Sequence, residues 1–124
     1  MLHETFGEIV FDIGWKAKKY IKLFDKDYEI KIKLQAYFEE DGTTKEQEKA
    51  YLEFINHESE KMKMIEKILS DYSEYAEQQF RPQVLLFNRD GSYALLCDDY
   101  KEPDEGIAVC LSPKEEVLLQ DDYL

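Results

Sequence analysis

Apolar and polar residues alternate most cleanly at Tyr28, Ile30, Ile32, Leu34 and Ala36, set against Glu29, Lys31, Lys33 and Gln35. A period of two places one face of a strand in a core and the other in water, as in an antiparallel sheet. Weaker strand patterns precede it. Ile9, Phe11 and Ile13 alternate with their neighbours, and Lys19 to Phe24 is a second run, closed by a polar turn at Asp25-Lys26-Asp27. The period then changes. Thr44-Lys45-Glu46-Gln47 fits a capping box, with Thr43 and Glu46 an equally good frame one residue earlier. Ala50, Tyr51, Phe54 and Ile55 follow as one helical stripe, which Asn56-His57 breaks or bends. Met62, Ile65, Leu69, Tyr72 and Ala76 are spaced three, four, three and four, which predicts a second helix with a core-facing stripe. Pro82 holds Arg81 extended, so helix ends before it. The remaining chain reads as strands at 84–87, 93–98, 106–111 and 116–120, with turns at Asn88-Arg89-Asp90-Gly91 and Ser112-Pro113-Lys114-Glu115. Strands, then helices over about 44–80, then strands predict one α+β domain over 1–124. Its sheet is mainly antiparallel and its helices pack on one face.

Composition adds charge to this picture. Among 124 residues there are 28 Asp and Glu against 16 Lys and Arg, a formal net charge of -12. The N-terminal 36 residues carry +1, residues 37–87 carry -6 and the last 37 residues carry -7. Such a chain repels phosphate backbones, which argues against a nucleic-acid partner. A hydrophobic content of 44% with seven Phe, nine Tyr and one Trp argues against disorder. No apolar run reaches membrane-spanning length, and the N-terminal residues lack the basic and apolar regions of a signal peptide. A cytoplasmic protein with no membrane partner is the expectation.

Candidate chemistry is sparse. His3 and His57 stand in no metal-binding spacing, and no Gly-rich phosphate loop or nucleophile elbow is present, so neither a cofactor nor an enzymatic activity is expected. Asp98, Asp99, Asp104 and Glu105 are hard-cation ligand types, but their spacing is not that of a calcium loop. If residues 93–98 and 106–111 form a hairpin centred near Pro103, Cys97 and Cys110 fall opposite each other. A disulfide is then open to them, against the alternative of two reduced, half-buried thiols. Tyrosines on the helical stripes (Tyr51, Tyr72, Tyr75) are expected in the core. Tyr100 is expected to be exposed. It lies in Asp98-Asp99-Tyr100-Lys101-Glu102-Pro103-Asp104-Glu105, and Asp98, Asp99, Tyr100, Glu102, Asp104 and Glu105 are the candidate partner-binding residues. The loop offers charge to steer a basic protein partner and an aromatic ring to anchor it. A loop that is simply solvated is the competing reading.

The segment Gln47-Glu48-Lys49-Ala50-Tyr51-Leu52-Glu53-Phe54 resembles the Gln-x-x-Ala-Tyr-x-x-Phe signature of a family of small uncharacterised bacterial proteins. The stretches Asp90-Gly91, Ala94 to Cys97, Glu105-Gly106-Ile107-Ala108-Val109 and Gln120 to Leu124 are similar to that family's closing pattern. Some members look like candidate immunity proteins of polymorphic toxin systems. The resemblance carries no catalytic residues. It implies an acidic binding protein that neutralises a basic toxin, such as a nuclease, by covering its active surface. The alternative is a structural or ligand-binding module, with a homodimer formed through a sheet edge or the helix pair.

Overall fold

The computed structural model describes residues 1–124 as an α+β fold. A seven-stranded sheet runs in the order β3 (Val10–Phe11), β4 (Trp15–Leu23), β5 (Lys26–Leu34), β6 (Phe80–Phe87), β7 (Tyr93–Asp99), β8 (Ile107–Ser112) and β9 (Glu116–Leu119). A two-stranded ribbon of β1 (Leu2–His3) and β2 (Gly7–Glu8) precedes it. All neighbours in the main sheet are antiparallel except β5 and β6, which run parallel. Parallel neighbours need a crossover connection. Here it contains α1 (Lys45–Asn56), α2 (Glu58–Tyr72) and the short α3 (Ala76–Gln79).

The helices cover one face only. Ala50, Phe54, Met62, Ile65 and Leu69 pack with Ile21, Leu23, Ile30, Ile32, Leu34, Leu85, Phe87, Leu95 and Val109 in one core. A second, smaller cluster of Leu86, Ala94, Leu96, Ala108 and Cys110 lies on the other face, where Tyr123 of the terminal turn α4 (Gln120–Tyr123) packs against it.

Thr44 caps α1, and both reciprocal bonds of the capping box form with Gln47. Gln47 has no exposed surface, and its amide does more than cap. Its Nε2 donates to the carbonyls of Gln35 and Phe87 at 3.0 and 3.1 Å, and its Oε1 accepts from Thr44 N at 2.9 Å. One side chain thus ties the start of α1 to the C-terminal ends of both parallel strands.

Several expectations need correction. Ile13 does not continue the alternation of Ile9 and Phe11: it is exposed, with φ of 53°, in the turn before β4. Trp15, which lies outside the strand runs expected at Ile9 to Ile13 and Lys19 to Phe24, opens β4 and is buried. Strand β6 begins at Phe80 and tolerates Pro82 beside a register irregularity between Pro82 and Val84. The β7–β8 register pairs Cys97 with Ile107 and Ala94 with Cys110, so the two cysteines are not opposed. The difference from a hairpin centred near Pro103 is an odd number of residues, which sends the side chains to opposite faces. Cys97 faces the helices, Cys110 faces away, and both are free and buried.

Candidate functional site

The loop between β7 and β8 stands on a built base. Asp99 is buried, and its Oδ1 accepts from Gln79 Nε2 at 3.0 Å and from Lys101 N at 2.9 Å. Gln79 is itself buried, bonds Ser73 through its Oε1, and accepts from Tyr100 N at 2.9 Å through its backbone carbonyl. Two turns follow, closed by Glu102 N to Asp99 O and Glu105 N to Glu102 O. At the far end Gln120 Nε2 donates to Cys97 O at 2.9 Å across the start of β8. Gly106 permits that approach, because a Cβ there would sit 2.7 Å from the Cys97 carbonyl oxygen.

This base sorts the predicted residues. Asp99 is turned inward and spends its carboxylate on the fold, so it is withdrawn from any partner-facing set. Asp98, Tyr100, Glu102, Asp104 and Glu105 are exposed. Asp98 lies across from Arg81 and accepts from Gln83 Nε2 at 2.9 Å. Glu102, Asp104 and Glu105 therefore project from a hydrogen-bonded loop and Asp98 from the end of β7 beside it, which limits the entropy lost when a partner orders them.

Two tyrosines join this surface that the stripe pattern assigned to the core. Tyr72 ends α2 half-exposed, its ring 5.9 Å from that of Phe80, the strand partner of Asp99. Tyr75 is 59% exposed, and Lys101 Nζ sits 5.9 Å from its ring centre. With Tyr100, also 59% exposed, they form an aromatic border to the acidic loop. The helix ends at Tyr72, so its last turn is only half covered, and the helical spacing does not set the direction of Tyr75 beyond it. Tyr51 does pack in the core, against Phe6 and Phe87.

The groups with intrinsic reactivity are occupied elsewhere. Burial raises the Cys97 thiol far above its ordinary value, with Asp98 adding to the shift, so it stays protonated. Burial, with Glu116, also raises Cys110. His3 stacks near Phe6 and its Nδ1 accepts from Thr5 N at 3.0 Å, while exposed His57 lies 3.9 Å from Glu60. No three His, Cys, Asp or Glu side chains converge to hold a metal ion. No helix is long and apolar enough to cross a membrane.

A family model described as a domain of unknown function, DUF6985, matches residues 5–105, and the chain belongs to that family. The matched segment stops short of β8 and β9, although both are integral to the sheet. Neither the curated proteins nor the solved structures contain a match.

Proposed function

We propose that this DUF6985 member is a cytoplasmic, non-catalytic binding protein that sets its β7–β8 loop against a basic protein partner. The observation that carries the reading is the surface of Glu102, Asp104 and Glu105 bordered by Tyr72, Tyr75 and Tyr100 on a hydrogen-bonded base, with Asp98 adjoining it on the sheet face away from the helices. Tyrosine supplies buried area at low entropy cost, and carboxylates supply steering and register. A cognate toxin that binds phosphates, such as a nuclease, has the complementary chemistry. The carboxylates would occupy the surface that otherwise holds substrate, and the tyrosines would exclude water around them. Close charge pairs in interfaces of this kind couple by about 1.5–7 kcal/mol.

The test is co-expression with the protein encoded beside it, followed by purification of the pair and assay of the neighbour's activity. Copurification with inhibition is expected, and both should be lost in the Asp98→Asn, Glu102→Gln, Asp104→Asn, Glu105→Gln variant. A neighbour with no toxic activity, or a complex indifferent to the four substitutions, overturns the reading.

A further inference from the structure

We propose that the outer edge of β4 is a strand-addition site for an extended acidic peptide segment of a partner protein. The inference rests on a surface separate from the β7–β8 loop. It begins with an unfavourable register. On the sheet face away from the helices, Lys16 lies directly opposite Lys33 and Lys18 directly opposite Lys31. Like charges in that position destabilise a sheet. Lys31 and Lys33 make no ion pair, Lys16 reaches Asp12 at 3.3 Å, and Lys18 comes only within 3.8 Å of Glu29. In a chain of net charge -12, five lysines, these four and Lys22, share this face of two adjacent strands.

The strand edge beside them is open. Strand β3 pairs only with Trp15 and Lys16, so Ala17 to Leu23 have no strand partner on their outer side. Seven residues offer roughly 23 Å of unpaired backbone. At the junction where β3 stops there is a groove of about 540 Å³, lined by Phe6, Val10 and Ala17 together with Lys16, Lys18, Lys31 and one acid, Glu8, whose carboxylate is paired with the N-terminal ammonium at 2.8 Å. It suits an apolar side chain flanked by carboxylates. Exposed Tyr20 continues the same face along the edge.

The lysines decide which strand can enter. Edge lysines discourage neutral or self-pairing, because a second copy of β4 would set lysine against lysine. A segment with carboxylates at alternate positions has the opposite outcome. Added beside β4, it places every second side chain on the face of Lys16, Lys18 and Lys22, at cross-strand distances of about 5 Å. Main-chain bonds then give affinity and the alternating charge gives selectivity, as in other strand-addition complexes.

The probe is a fluorescein-labelled nine-residue peptide of alternating Glu and Val, titrated with the full chain by anisotropy at low salt. Saturable binding is expected. It should weaken at least tenfold in the Lys16→Gln, Lys18→Gln, Lys31→Gln variant, whose fold is checked by circular dichroism. It should weaken equally when alternate peptide amides are N-methylated, which keeps the charges and removes the donors. An alternating Lys and Val peptide that binds as tightly, or a triple variant that binds unchanged, overturns the proposal. So does full binding of the N-methylated peptide, which would reduce the site to a charged patch. Cosedimentation with phosphatidylserine vesicles without any response to the acidic peptide would overturn it in favour of a lipid surface.

Discussion

Replacing Gln47 with Met keeps the side-chain volume and removes its three side-chain hydrogen bonds. The loss is uneven. The Phe87 carbonyl still accepts from Gln35 N at 3.0 Å, and the Gln35 carbonyl still accepts from Arg89 Nη1 at 3.2 Å. Only Thr44 N, which Gln47 Oε1 satisfied at 2.9 Å, is left without that partner at the helix start. Two net bonds at roughly 0.5–1 kcal/mol each, plus an orphaned donor at roughly 1–3 kcal/mol, give about 2–5 kcal/mol. For a chain of 124 residues, 1 kcal/mol moves Tm by about 4 °C, so a fall of about 8–20 °C is expected. Thr44→Ala removes the other half of the capping box and should cost about 1 kcal/mol. Because the two side chains satisfy each other's backbone, the double variant should cost less than the sum. Urea and thermal unfolding followed by circular dichroism measure all three. A Gln47→Met loss below about 0.5 kcal/mol refutes the view that this amide pins α1 to the ends of β5 and β6.

Tyr93 is buried with its hydroxyl unpaired, so Tyr93→Phe should be neutral or stabilising by up to about 1 kcal/mol in urea unfolding, and a clear loss would contradict this. Burial, helped by Glu53, pushes the Tyr93 pKa up to about 12. Its folded value lies above its unfolded value near 10, so the wild type should lose stability from pH 10 towards 12. The Phe variant should lose less over that window, and superimposable alkaline curves would refute the assignment. Native protein treated with diamide should form no Cys97–Cys110 disulfide, since the thiols face opposite sides of the sheet, and an intramolecular mass loss on oxidation would overturn the register. Lys31→Glu places an acid opposite Lys18 and should stabilise by roughly 0.2–1 kcal/mol in thermal unfolding, so destabilisation would contradict the cross-strand pairing.

Where one physical cause dominates, the sequence was enough. The alternation around Ile30, Ile32 and Leu34 survives as β5 because one face is buried and the other wet. Thr44 and Gln47 announce the start of α1 because capping is local chemistry. Decisions made by tertiary contact were hidden. A buried glutamine and a surface glutamine look alike in a pattern, so neither the anchoring by Gln47 nor the base of Gln79 and Asp99 could be read. The parallel pairing of β5 and β6 depends on where the helices return the chain, not on either strand's composition. The β7–β8 register depends on two turns within the acidic loop, and assuming a symmetric hairpin misplaced Cys97 and Cys110. The exposed carboxylates were visible as a charge run. Tyr72 and Tyr75 were not, because Tyr72 is the last residue of α2, half outside the packed stripe, and Tyr75 lies beyond the point where that helix stops.

The central claim is that the exposed carboxylates of the β7–β8 loop steer and hold a basic partner. Its most direct test is stopped-flow association with the neighbouring gene product across a range of salt concentrations. For the wild type, the association rate should fall steeply as salt rises. In the Asp98→Asn, Glu102→Gln, Asp104→Asn, Glu105→Gln variant the rate should be at least tenfold lower at low salt and nearly flat with salt. Association that is equally fast and equally salt-dependent in both proteins would contradict the claim.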